Sequence, residues 1–311
     1  MVAGGVAADG GAAAGVDAAA LDRLVEASSD AHSHALVVIR GDSLVGTWYA
    51  GGERRMVETM SVTKSVLNLA LGRLVTLGAL PSIDVPVADY FPEWRETERE
   101  AITVRHLLNH TSGLADPGTG AIYASGDFVR LALESDLATT PGTAVAYNNN
   151  AVNLLAGLMC RAAGDRLDHF LAEDLFTRLG INQFRWSLDE AGNPHGMAGL
   201  QMYAEDLARL GQLVLRRGEW NGRQLIQSSW FDESLRPGSH LSDELGLLWW
   251  IIRDEDGQVV GYRADGYLGQ YLVIYPEEEL VAVRLVASSP AYDPDTDAFR
   301  DFPAMVMDLV R

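Results

Sequence analysis

Lysine is nearly absent from this chain: of 24 basic side chains in 311 residues, Lys64 is the single lysine and the others are arginines. Cysteine is equally scarce, and with Cys160 alone no disulfide can form within the chain. Cys160 stands among Leu154, Leu155, Leu158 and Met159, the setting of a buried, unreactive thiol rather than a nucleophile. No run approaches the roughly 18 consecutive apolar residues of a membrane span, so none is expected. Positive charge is also in deficit. The 24 Lys and Arg face 43 Asp and Glu, a formal net charge of −19, which disfavours nucleic acid and anionic membranes as partners. The acid is spread through "EWRETERE", "RDEDG", "PEEEL" and "DPDTD", as on a solvated surface. The opening "MVAGGVAADGGAAAGVD" has neither the basic start nor the strongly apolar centre of a secretion signal. Residues 1–16 read as a disordered lead, and the expected location is cytoplasmic. The glycine-rich pieces "GGVAADGG" and "GTG" lack the spacing of a phosphate-binding loop, and no cofactor is expected.

What is present is an ordinary globular composition, 48% hydrophobic, in a chain long enough for one large domain or two lobes. Residues 17–28 have helical spacing with an aspartate at the cap position. Two strand-like runs follow, "HALVVIR" and "SLVGTWYA", joined at Gly41-Asp42 as a hairpin. From 79 to 196 the pattern changes to short helical pieces broken by Pro, Gly and Asp. "MYAEDLARLGQLVLRRG" reads as an amphipathic helix, and from 245 strands return in "LGLLWWIIR", "QVVGYRADG", "GQYLVIY" and "LVAVRLV". A closing helix is predicted over "DAFRDFPAMVMDLV". The expected fold is α+β: an antiparallel sheet flanked by helices and built from both chain ends, with a mainly helical lobe inserted. The boundaries assign 17–78 and 197–311 to the α/β lobe and 79–196 to the helical lobe.

The chemistry concentrates around the lone lysine. Arginine stays protonated at any pH a folded protein meets, whereas an ammonium in a dry site can lose its proton and act as a base. Lys64 follows Ser61 by three residues, a spacing that puts both side chains on one helix face. The run after it (Val66, Leu67, Leu69, Ala70, Leu71, Leu74, Val75, Leu77) is apolar on nearly every side, so the helix is expected inside the protein, where a lysine is costly and points to function. Ser61 is thus a candidate nucleophile and Lys64 its base. In "PGTAVAYNNNAVNLL", Tyr147 and Asn149 precede a helix. A phenol near a lysine can pass a proton to a leaving group, and an amide can hold substrate or lysine. The alternative for Tyr147 is a buried ring with its hydroxyl bonded to backbone.

The ordered set of Ser-x-x-Lys, Tyr-x-Asn and a glycine-rich late strand resembles the penicillin-recognising serine hydrolases, related to β-lactamases. Within them the likeness is to class C β-lactamases, family VIII esterases and 6-aminohexanoate-dimer hydrolases. "IDVPVADYFPEW", "ITVRHLLNHTSGL", "PGTAVAYNNN", "YAEDLARLGQLVLRRGEWNGRQLI" and "GYLGQYLVIYPEEEL" extend it from about 34 to 310. The resemblance implies an α/β lobe, a helical lobe and a cleft between them. It implies an acyl-enzyme on Ser61, with Lys64 as base, Tyr147 as proton carrier and Asn149 as a cleft-lining amide. The oxyanion donors would be the backbone N–H groups of Ser61 and Tyr267.

One motif departs from the family. Where β-lactamases carry Lys-Thr-Gly and many esterase relatives a His in place of that Lys, this chain reads Ala264-Asp265-Gly266. The cation that holds a substrate carboxylate is gone, and strand alternation points Arg263 to the face opposite Ala264. Neutral esters or amides are therefore expected ahead of β-lactams and D-alanyl peptides. Asp265 is a candidate for holding a substrate ammonium, as in an aminohexanoate oligomer, with a turn cap as the alternative. Gly266 leaves room for close approach. Trp94, Trp186, Trp249, Trp250 and Tyr267 are candidate walls of an aromatic acyl pocket, each with a core position as the alternative. His106 and His110 share i, i+4 spacing, but "HTSGL" recurs in the family as a structural turn, and no metal is expected. Gly-x-Ser-x-Gly does not occur, which argues against the α/β-hydrolase elbow. The expected partner is a small-molecule ester or amide; the competing reading from another class is a catalytically silent binding protein.

Overall fold

The computed structural model describes residues 15–289 and 292–311. The lead expected over 1–16 therefore lies, apart from its last two residues, outside the described residues. Contacts divide the chain into two compact units: residues to Val62, Gln201–Arg217 and Ile252–Arg311 form one, and Thr63–Leu200 with Gly218–Ile251 form the other. The sequence reading drew these boundaries at 78/79 and 196/197. Residues 63–76 of the helix Val62–Thr76 and segment 218–251 instead fall with the helical unit, where that helix makes its polar side-chain bonds.

The first unit is organised by a six-stranded sheet in the order Ser43–Tyr49, Ala35–Arg40, Leu280–Leu285, Gln270–Tyr275, Val259–Gly266 and Trp250–Arg253, the last contributing Ile252 and Arg253 to this unit. The first five strands pair antiparallel. Helices Ala18–Asp30 and Phe302–Met307 cover one face through Leu21, Leu24, Leu36, Val38, Val273 and Phe302. Helix Ala204–Leu215 covers the other, packed so closely that a Cβ on Gly211 would come within 2.6 Å of Val281. Burial on both faces explains why "QYLVIY" and "LVAVRL" carry no polar alternation. Asp17 caps the first helix, its carboxylate accepting from the N–H groups of Ala19 and Ala20 at 2.7 and 3.0 Å.

Arg284 stands fully buried in the strand Leu280–Leu285. Its guanidinium donates to Ser33 Oγ at 2.6 Å and to the carbonyls of Gly269, Ala31 and Asp297 at 2.9, 2.7 and 2.8 Å. Burial pulls its pKa down to about 10, a cost tolerated because its donors meet acceptors. The consequence is local: the turn after Val259–Gly266 is tied to the sheet's interior through Gly269.

The second unit is helical. Its Val62–Thr76 helix is buried on nearly every side, which is why its apolar residues show no single stripe. The few polar groups are satisfied inside: Ser65 Oγ donates to Leu248 O at 2.6 Å, Asn68 Nδ2 to Leu247 O at 2.8 Å, and Arg73 Nη1 to Leu225 O at 2.6 Å. Two expected elements are shorter than the sequence suggested. In "LGLLWWIIR" only Trp250–Arg253 is strand, because Leu248 adopts φ 61° and Gly246 N–H folds back onto Trp249 O at 2.8 Å. The closing helix shrinks to Phe302–Met307, with Pro303 in its first turn. Among the described residues no helix is long and apolar enough to cross a membrane.

Candidate active site

In the sheet-containing unit, the strand Val57–Glu58 pairs with Gln201 and Met202 and hands the chain to a tight turn. Val62 N–H donates to Thr59 O at 3.1 Å, and Met60 sits at φ 49°, left-handed for a residue with a side chain. Such backbone persists only where its surroundings impose it. It leaves Ser61, half-buried, immediately before a 15-residue helix, where backbone N–H groups lack intrahelical acceptors and the dipole is positive. The end of Val259–Gly266 meets the same turn: a Cβ on Gly266 would stand 2.7 Å from Thr59 O. Only glycine allows the two backbones that close. Tyr267 follows with its side chain 70% exposed and its ring 6.0 Å from that of Tyr292. Asp265 Oδ2 accepts from Arg263 Nε at 2.9 Å, as two residues on one strand face can, so this carboxylate already has a cation. Burial still raises the Asp265 pKa, partly offset by Arg263.

In the helical unit, Lys64 lies in the first turn of the Val62–Thr76 helix, 3% exposed, and donates from Nζ to Met197 O at 2.7 Å. Burial lowers its pKa to about 7, while the carboxylate of Asp116 acts in the opposite direction. A lysine so placed carries a sizeable neutral fraction near neutrality. The Met197 carbonyl is itself aimed: Asn153 Oδ1, from helix Asn149–Ala163, accepts the N–H groups of Gly196 and Met197 at 2.9 and 3.0 Å. The Tyr147 ring lies 4.9 Å from Lys64 Nζ, and Tyr147 is 45% exposed. Asn148 caps the same helix, accepting from Ala151 N–H at 2.8 Å and donating to Leu114 O at 2.6 Å. Asn149 begins it, half-buried, its N–H on Asp116 Oδ2 at 2.9 Å.

Several partners here were not among the sequence candidates. Met197 acts through its carbonyl, which leaves no residue signature, and Asn153 read as one more position in an apolar helix. His110, considered only as half of a metal pair, packs against Tyr147 with ring centroids 4.7 Å apart. Its Nδ1 accepts from Asn148 N–H at 3.2 Å, while His106 Nδ1 accepts from Thr103 N–H at 3.2 Å in a capping box. Trp249 is a correction. It is 1% exposed, and its indole donates to Asn68 Oδ1 at 3.1 Å beside that of Trp230, so it fills the core rather than lining a substrate pocket. Trp94 and Trp186 are likewise buried, donating to Leu133 O and His195 O at 3.0 and 2.8 Å.

A mixed α+β architecture with an antiparallel sheet is the fold of the β-lactamase-like serine hydrolases. The β-lactamase family model matches residues 21–302, and the chain belongs to that family; it is a hydrolase of the β-lactamase-like serine hydrolase superfamily. It is similar to the 6-aminohexanoate-dimer hydrolase of Paenarthrobacter ureafaciens, 26% identical over 88% of this chain and 76% of that protein. Esterase EstB of Burkholderia gladioli is 31% identical over 47% of this chain and 43% of its own length. Among solved structures, a β-lactamase/D-alanine carboxypeptidase from Yersinia pestis shares the fold at TM-score 0.74, 20% identical, covering 94% of this chain and 98% of the other.

Proposed function

We propose that the chain hydrolyses neutral carboxylic esters or amides through an acyl-enzyme on Ser61. Ser61 Oγ attacks the carbonyl carbon and its proton passes to neutral Lys64 Nζ. Negative charge develops on the carbonyl oxygen, which accepts hydrogen bonds donated by the N–H groups of Ser61 and Tyr267. The Tyr147 hydroxyl protonates the departing alkoxide or amine and is reprotonated from Lys64 as the bond to the leaving group breaks. Water then attacks the acyl carbon and loses a proton to neutral Lys64, which passes it to Ser61 Oγ as the acyl–oxygen bond breaks, releasing the acid and restoring Ser61 and Lys64. The observation that carries this reading is Lys64: buried, anchored to Met197 O, beside the Tyr147 ring, and shifted by burial to about 7.

Alanine at 264 supports neutral substrates over β-lactams, since no cation stands there for a carboxylate. The Paenarthrobacter relative is named for the dimer of 6-aminohexanoate, an amino acid, which favours a second reading in which Asp265 binds a substrate ammonium. Arg263 already pairs with that carboxylate through Oδ2, and Oδ1 is buried. Asp265→Ser should therefore leave the ratio of rates on ω-amino and neutral amides unchanged; a selective loss on amino substrates would establish the second reading. The primary test compares short p-nitrophenyl esters with nitrocefin, a chromogenic cephalosporin, for the parent, Ser61→Ala and Lys64→Arg. The expected result is ester cleavage lost by at least about 1,000-fold in both variants, with little action on nitrocefin. Fast nitrocefin hydrolysis would overturn the substrate assignment.

A further inference from the structure

His110 has no part in the proposed bond chemistry, yet it is built into the segment that carries Tyr147. It is 2% exposed and held at φ 57°, a left-handed conformation that costs a non-glycine residue about 1 kcal/mol or more. Two of its groups bracket Tyr147. Its carbonyl accepts Ala146 N–H at 2.9 Å, and its Nδ1 accepts Asn148 N–H at 3.2 Å. The main-chain N–H groups of the residues before and after Tyr147 are thus fixed to one residue, while the His110 ring lies against the Tyr147 ring, tilted by 36°. The main-chain N–H must donate, so Nδ1 presents its lone pair and the imidazole proton sits on Nε2. Burial, reinforced by the Lys64 charge, pushes the His110 pKa down to about 3, which keeps the ring in this neutral acceptor form across assay pH.

We propose that His110 is a positioning residue that sets the Tyr147 hydroxyl for proton transfer, through the Nδ1 acceptor and the ring contact. This rests on the reading of Tyr147 as proton carrier. Misplacement of a reacting group by about 1 Å can cost on the order of 100-fold in rate, and both ring contact and peptide bond act on the same side chain.

The test is a double-mutant cycle on hydrolysis of a short-chain ethyl ester, whose alkoxide must gain a proton as it leaves, with kcat and KM measured separately. His110→Phe keeps a ring but loses the acceptor and is expected to lower kcat by about 10- to 100-fold with KM changed less than about 2-fold. His110→Asn, which places an amide oxygen near the Nδ1 position and tolerates left-handed backbone, should recover most of that loss. His110→Gly, unstrained at this φ and also without an acceptor, gives the same expectation as Phe should the latter not fold. In a Tyr147→Phe background the His110 substitutions should cost less than about 2-fold, because the group they position is gone. An equal loss in both backgrounds, or no rescue by asparagine, would overturn the positioning role while leaving Tyr147 as proton carrier. A Tyr147→Phe enzyme with parental kcat would overturn that reading of Tyr147, and the His110 proposal with it.

Discussion

In the proposed mechanism Lys64 is the residue on which the chemistry turns, and its environment makes a definite pH prediction. With a pKa lowered to about 7, kcat/KM should rise through an acidic limb near pH 7 and flatten above it, since only the neutral amine accepts the Ser61 proton. Asp116 opposes the burial effect by favouring the ammonium. Asp116→Asn keeps an oxygen for Asn149 N–H and should move that limb to lower pH by less than about one pH unit; a limb moved upward would contradict the assignment. His110 adds a positive-side constraint only if charged, and it stays neutral across this range. Of these residues, Lys64 was legible in the sequence through its singularity and its spacing from Ser61. Asn153 and His110 were not, because each acts by accepting main-chain N–H groups, a role that spacing and composition leave unmarked.

At the scale of the element, the Val62–Thr76 helix holds Lys64 in place because everything behind its first turn is locked. Gly72 illustrates the tightness: a Cβ there would stand 2.5 Å from the Trp230 ring, whose indole donates to Asn68 Oδ1 at 3.1 Å on the same helix. Gly72→Ala should therefore destabilise by about 1–3 kcal/mol, read as a lowered midpoint in denaturant unfolding, despite alanine's higher helix propensity. An unchanged or raised midpoint would show that Trp230 gives way freely. The apolar run made the helix and its burial readable. What it could not reveal was that Leu247 and Leu248 supply carbonyls to Asn68 and Ser65, which is why "LGLLWW" looked like strand. Its apolar residues serve a turn clamped onto the helix. The hairpin at Gly41-Asp42 and the strands "GQYLVIY" and "LVAVRLV" were readable for the opposite reason: local turn chemistry and β-branched runs agree with their final pairing.

Across the whole molecule, antiparallel strands drawn from both ends of the chain were legible, while the assignment of the Ser61 helix to a unit depended on long-range hydrogen bonds no local pattern encodes. Buried titratable groups also leave a global signature. Lys64 has a folded pKa near 7 against an ordinary 10.5, so the unfolded chain binds more protons between those values and stability rises with pH across that window. His110, near 3 against 6.5, adds a slope of the same sign from pH 3 to 6.5. Lys64→Met removes the first contribution. Its melting temperature relative to the parent should be highest at pH 7 and below, by a few degrees, and decline toward pH 10; a pH-independent difference would mean that folding does not lower the Lys64 pKa.

The central claim, a covalent acyl-enzyme on Ser61, is tested most directly by intact mass spectrometry of the protein quenched during turnover of a p-nitrophenyl ester, followed by peptide mapping. The account predicts a mass increase equal to the acyl group, located on the peptide containing Ser61 and absent from Ser61→Ala. Turnover at full rate by Ser61→Ala, or an adduct mapped to another residue, would contradict it.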